Sequence, residues 1–195
     1  MKKILIFYPY IIAYGGIERL IISLCKEISI KGYEPVLLCF EDKINIKKYN
    51  KQMTVRLIKS RNIIEKIFNL KKYLRKNETN QMILTFGEKG AYFSFLSNIK
   101  NYSVYYIDPP FLFDEKNNNI FIIYLIAFRK WFALKIAKLG LKKSQLRFTT
   151  TIKNKNDLEN LFNLKFKVTS VGGFKFHNKN KFPVKQIFKN KRINL

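Results

Sequence analysis

The sequence predicts an α/β domain built on a doubly wound, Rossmann-like parallel sheet. Three observations carry that expectation. Short apolar runs without alternation recur along the chain, as in strands covered on both faces. Between them lie segments with apolar residues at helical spacing. The two kinds of segment alternate about seven times, the pattern of repeated βαβ units.

The elements follow in order. Residues 4–8 (ILIFY) are apolar throughout and read as the first strand. Residues 16–31 place Ile17, Leu20, Ile21, Leu24 and Ile28 on one helical stripe, and Gly32 suits the position just past the helix end. Residues 34–40 (EPVLLCF) form the next strand, so the first forty residues make one βαβ unit. A strand follows at 53–58, then a basic amphipathic helix at 62–76, with Ile63, Ile64, Ile67, Phe68, Leu70 and Leu74 apolar. Residues 81–86 are a strand ending at Gly87, 88–99 a short helix, and 102–107 a strand ending in Asp108-Pro109-Pro110. A long helix occupies 120–143 and a strand 145–151. Residues 157–161 lie in a helix for which Asn154 or Asn156 is the expected cap. A last strand covers 166–171, before Gly172-Gly173. From Lys175 the sequence turns polar and basic. It reads as residues 1–174 forming the domain and 175–195 forming a linker, with KRINL as the opening of a further strand.

Composition narrows the function. The formal charge is +25, from 38 basic and 13 acidic residues, and 31 of the basic residues are lysine. Arginine is the usual residue for base-edge and bidentate phosphate contacts, so its scarcity argues against a specific nucleic-acid partner. Residues 120–128 are nine apolar residues, too few for a bilayer span of about 20. The stretch FRKWFALKIAKLGLKK then mixes lysines with aromatic and aliphatic residues. It suits either an anionic membrane surface or a core helix with a lysine-rich outer face. Cys25 and Cys39 are too few for a disulfide framework or a zinc site, and reduced thiols are expected. The start mimics a secretion signal, but Pro9 interrupts the apolar run and an amphipathic helix follows directly, so it reads as a strand.

Ligands of doubly wound folds bind beyond the carboxyl ends of the strands. Gly15-Gly16 sits at such a place, where glycine allows close backbone approach and a helix N-terminus offers N–H groups to an anion. There is no G-x-G-x-x-G fingerprint, and Glu18 puts a negative charge in the helix's first turn.

The order KILIF, Pro9, loop, Gly15-Gly16-x-Glu18, apolar helix with Leu24 and Ile28, Gly32-Tyr33-Glu34, Val36 resembles the N-terminal domain of family 4 retaining glycosyltransferases of the GT-B fold. FTTTIKNKNDL, with Thr151 at a position where serine is common, and FKVTSVGGF resemble later segments of that domain. The resemblance covers nearly all of this chain and half of such an enzyme. It implies one half of a GT-B fold, the acceptor-binding half, with the donor-binding residues in a second domain beyond Leu195 or on a separate chain. It implies transfer of a sugar from a nucleotide-sugar donor to a saccharide or lipid-linked acceptor, in surface polysaccharide or glycolipid synthesis, with little activity for this half alone. Gly15 and Gly16 would approach the donor phosphates. Tyr106-Ile107-Asp108-Pro109-Pro110 resembles a strand-end segment in which histidine contacts acceptor and sugar, so Asp108 takes the catalytic and acceptor-binding place. The alternative is that Asp108 only starts the turn before two prolines. Glu88 is the second acceptor-side candidate; capping the following helix is its other reading. No metal or other cofactor is expected, the nucleotide sugar being a substrate. His177, the single histidine, reads as an exposed linker residue. The expected place of work is the cytoplasm, peripheral on the inner face of the cell membrane. The competing readings are a non-catalytic basic module that binds anionic membrane or nucleic acid, and a truncated relic.

Overall fold

The computed structural model describes residues 2–76, 83–107 and 120–169. The elements run β1 (Lys3–Phe7), β2 (Tyr10–Ile11), α1 (Gly16–Ile30), β3 (Glu34–Cys39), β4 (Glu41–Asp42), a 3-10 turn (Ile46–Tyr49), β5 (Thr54–Leu57) and α2 (Ile63–Lys76). They continue with β6 (Ile83–Phe86), α3 (Gly87–Leu96), β7 (Tyr102–Tyr106), α4 (Ile120–Lys143), β8 (Arg147–Thr149), α5 (Ile152–Phe162) and β9 (Lys167–Val168).

Seven strands form one parallel sheet in the order β5-β3-β1-β6-β7-β8-β9. In β1, Leu5 pairs with Val36 on one side and Ile83 on the other. β1 and β3 are apolar on both faces because both faces are covered. Ile6, Leu37 and Cys39 pack with Ile21, Ile22, Cys25 and Ile28 of α1 on one face. Leu5, Phe7, Val36 and Leu38 pack on the other, in a cluster that takes in Leu70 of α2, Ala91 and Phe93 of α3, Leu141 of α4, and Leu158 and Phe162 of α5. Each fully buried Val, Leu, Ile or Phe side chain among these contributes about 1.5–3 kcal/mol relative to exposure. The chain winds outward from β1 with α1 on one face, and outward from β6 with α3, α4 and α5 on the opposite face. The fold is doubly wound, as the alternation of segments predicted.

Local chemistry explains the element ends. Gly32 has φ +80°, the left-handed conformation that glycine adopts without a Cβ penalty, and it stops α1. Gly87 has φ +69° and turns the chain from β6 straight into α3. α2 opens with a reciprocal cap: Asn62 Oδ1 accepts from the Glu65 N–H at 2.9 Å, and Glu65 Oε2 accepts from the Arg61 N–H at 2.8 Å.

Two expectations change. The cap of α5 is Thr151, whose hydroxyl accepts from the Asn154 N–H at 3.1 Å. The Asn154 side chain instead donates to the Ile107 carbonyl at 2.7 Å, tying α5 to the end of β7. The helix therefore starts at Ile152, well before residue 157. A small two-stranded parallel ladder of β2 and β4 extends past the main sheet, where the sequence suggested only loop. Two-residue strands carry no periodicity for a sequence to display. Both cysteines are buried and unpaired, and burial pushes each thiol up to about 12. For Cys39 the neighbouring Asp42 adds to the rise.

Candidate functional site

All strands of a parallel sheet point the same way, so their carboxyl ends share one edge. Between β1 and β6 the chain reverses its direction of travel across the sheet. Such a switch point leaves a crevice, because the two following loops lead to opposite faces. Here the loop after β1 leads to α1 on one face. The loop after β6 leads to α3 on the other.

On the α1 side, Gly15 is the N-cap. A glycine cap offers no side chain, and Glu18 does the work from within the helix. Its Oε2 accepts from the Gly15 N–H at 2.9 Å and its Oε1 accepts from the Tyr8 hydroxyl at 3.1 Å. Glu18 is 6 % exposed, so it is a buried brace and not a surface charge. The N–H groups of Gly16, Ile17 and Glu18 lie in the turn that has no intrahelical acceptor. A Cβ added at Gly16 would meet no atom within 4 Å, whereas one at Gly15 would lie 3.1 Å from Glu18 Oε2. The open space is therefore over Gly16. The loop before the helix is held by ring contacts: Tyr14 and Tyr49 stack at 4.4 Å, with the Arg19 guanidinium 5.3 Å over Tyr14 and the Lys48 ammonium 4.9 Å over Tyr49.

On the α3 side, Glu88 lies in the helix's first turn and no side chain caps that helix. Burial pushes the Glu88 carboxyl up from its ordinary value, and the Lys89 ammonium partly offsets this. Beside it is a cluster that the sequence did not announce. The Tyr10 ring touches Phe40 and Phe93, with centroids 6.1 and 6.3 Å away. The Lys66 ammonium lies 4.9 Å from the Tyr10 centroid and donates to its hydroxyl at 3.3 Å. The Lys89 ammonium lies 5.1 Å from the same centroid. Tyr92 borders the cluster; burial, then Tyr10, raises its phenol pKa. A cation over an aromatic face gains about 0.5–1 kcal/mol at an exposed site. The ring face attracts both ammonium groups, and each lies within reach of it. These residues escaped sequence reading because they come from four separate segments. The available signal was positional: each follows closely on a strand or opens the helix after one.

The structure thus brings Gly15, Gly16 and Glu88 to one edge of the sheet. β7 ends on that edge at Tyr106, and the Ile107 carbonyl is held by Asn154. Asp108 lies outside the described residues, as do Gly172, Gly173 and His177. Among the described residues no group of three or more His, Cys, Asp or Glu side chains is placed to hold a metal ion.

No family model matches this sequence, and no curated protein matches it. Solved structures do. WaaG, a glycosyltransferase involved in lipopolysaccharide biosynthesis, matches with a TM-score of 0.60 at 10% identity, over 85% of this chain and 44% of its own. A glycosyltransferase from Rickettsia africae matches at 0.57 and 16% identity, over 87% and 42%. HepE of Anabaena, solved in complex with UDP, matches at 0.56 and 14% identity, over 87% and 44%. The fold is that of one half of a GT-B glycosyltransferase. At these identities the likeness speaks for the fold alone. The chain spans less than half the length of each of these three neighbours. The seven-stranded sheet and its switch point are the parts of the architecture that place Gly15, Gly16 and Glu88 together.

Proposed function

We propose that this chain is the acceptor-side domain of a retaining, family 4 type glycosyltransferase. It would transfer a sugar from a nucleotide-sugar donor to a saccharide or lipid-linked acceptor during synthesis of a surface polysaccharide or glycolipid. One observation carries the reading: 85–87% of the chain is matched by neighbours of which it covers only 42–44%. A GT-B site is a cleft between two domains, and this chain supplies one wall.

In this reading the carboxyl edge of the sheet is that wall. The free N–H groups and open space at Gly16 receive the donor phosphates, with Glu18 holding the turn in shape. Glu88 faces the acceptor side; its raised pKa suits a group that exchanges hydrogen bonds with sugar hydroxyls. Asp108, directly after the strand-end segment, orients the acceptor hydroxyl. The donor-gripping residues belong to a second domain, in the same polypeptide or a separate one. The exposed basic and aromatic surface of α4 supports work at the cytoplasmic face of a membrane.

The test is an array of neutral and phosphorylated saccharides probed with purified residues 1–195, followed by a transfer assay with nucleotide sugars. Saturable saccharide binding without transfer is expected. Oligonucleotide binding that falls steeply with salt, with no saccharide retained, would overturn the reading in favour of a nucleic-acid module. Transfer by residues 1–195 alone would overturn the division of labour between two domains.

A further inference from the structure

We propose that Lys66, Lys89, Tyr10 and Tyr92 form a binding site for a phosphate group on the acceptor. The proposal rests on the glycosyltransferase reading only for the word acceptor; the site itself follows from the geometry. Lys66 comes from the first turns of α2, Lys89 from the first turn of α3, Tyr92 from the next turn of α3, and Tyr10 from just past β1. Both ammonium groups lie within 5.1 Å of one ring centroid. Neither meets a carboxylate within ion-pair distance among the described residues.

Four points select a phosphate as the ligand. Two cations at one ring, neither in an ion pair among the described residues, create a local positive potential that a multiply charged anion neutralises best. Lys66 donates to the Tyr10 oxygen, which leaves the Tyr10 hydroxyl proton free to point at a bound oxygen. Tyr92 adds a second phenol beside it. The rings of Phe40 and Phe93 close the inner side, so the ligand meets donors on one side and apolar surface on the other. Lys66 also lies 5.7 Å over the Phe40 ring, which holds its stem in place before any ligand arrives.

The site is separate from the one assigned to the donor. Phe40 and Phe93 belong to the core on the α2–α5 face of the sheet, whereas Gly15 and Gly16 open α1 on the opposite face. A phosphate here and a donor phosphate at α1 would flank the switch point from its two sides. A saccharide phosphate and a lipid phosphate share the recognised chemistry.

Isothermal titration of the full chain with glucose 1-phosphate and with farnesyl phosphate in neutral detergent tests the site. The variants are Lys66→Gln/Lys89→Gln and, as a charge-matched control away from the edge, Lys26→Gln/Lys100→Gln. Far-ultraviolet circular dichroism and a thermal melt confirm that each variant folds. The first pair should weaken binding roughly ten-fold or more, as loss of two charge-assisted contacts implies. The control pair should bind within about two-fold of the parent, because screening removes distant charges. Tyr10→Phe, which keeps the ring and removes the donor, should fall between them. Tighter farnesyl phosphate supports a lipid-linked acceptor at the site; tighter glucose 1-phosphate supports a saccharide phosphate. Equal loss in both double variants would overturn the site, since the net charge of +25 would then explain the binding. That outcome with neutral saccharides still bound spares the glycosyltransferase reading. Lysine-dependent phosphate binding with no saccharide bound keeps the site and removes that reading.

Discussion

A carboxyl in the first turn of a helix gains from the helix dipole and loses from burial. At Glu88 burial is the larger effect, so its pKa is raised. The sign of the stability consequence follows. Below its ordinary value the group is protonated in both folded and unfolded chains, and the full contribution to stability is present. As pH rises through the raised folded value, the half-buried carboxyl must ionise and that contribution is lost. Glu88→Gln removes the ionisation. Urea unfolding should therefore show the variant more stable than the parent at pH 7, with the difference vanishing near pH 4. A variant equally or less stable at pH 7 would show that Glu88 is stabilised as an anion, and would argue for the capping reading. Sequence position marked Glu88 as a candidate. Its burial came from how α3 seats on β6, which no local pattern displays.

Among the elements, the contact between α3 and α4 is the tightest point of the helical layer. A Cβ on Gly140 would lie 2.4 Å from the Ala91 carbonyl oxygen and 2.9 Å from its carbon. Both are backbone atoms, which cannot rotate away. The Tyr102 hydroxyl also donates to the Gly140 carbonyl, locking α4 against β7. Gly140→Ala gains helix propensity of about 1 kcal/mol but forces the helices apart, a cost of roughly 1–3 kcal/mol or more for overpacking. The steric term should win, and the thermal midpoint should fall by several degrees, ~4 °C or more. An unchanged or higher midpoint would mean that the two helices slide freely. The bounds of α4 were legible, because 24 residues without a strong breaker read as one helix. The role of Gly140 was not legible. A glycine in a helical run carries no mark of what crosses it.

For the whole molecule, charge and exposed apolar surface coincide on α4. Trp131 and Phe132 are 54% and 52% exposed, beside exposed Arg129 and Lys135. The Phe128 and Trp131 rings stack at 6.1 Å, and the Lys135 ammonium lies 5.4 Å over Trp131. Ala137 and Leu141 face the core instead. The later turns of this helix pack, and its outer surface mixes aromatic and basic groups. Among the described residues no helix is long and apolar enough to cross a membrane. We propose that this surface binds anionic bilayers, by shallow insertion plus electrostatic attraction. Trp131 is the single tryptophan, so its emission reports on this face alone. It should shift to shorter wavelength with vesicles containing phosphatidylglycerol and not with phosphatidylcholine alone, and the response should weaken with added salt. Identical spectra with both lipids would remove the membrane from the proposed function.

The sequence by itself determined the alternation of strands and helices, the doubly wound class, and the strand ends where Gly15, Gly16 and Glu88 lie. These rest on local periodicity, on glycine at left-handed turns such as Gly32, and on the rule that such folds bind ligands at one edge. Tertiary structure alone decided three things. It set the strand order that puts β1 beside β6. It turned Glu18 from a first-turn charge into a buried brace for the Gly15 turn. It also carried Lys66 across 56 positions in sequence to the Tyr10 hydroxyl and set Lys89 beside the same ring. The physical reason is common to all three. Hydrophobic patterning is written residue by residue, whereas burial and the convergence of charges depend on which distant elements the closed core brings together.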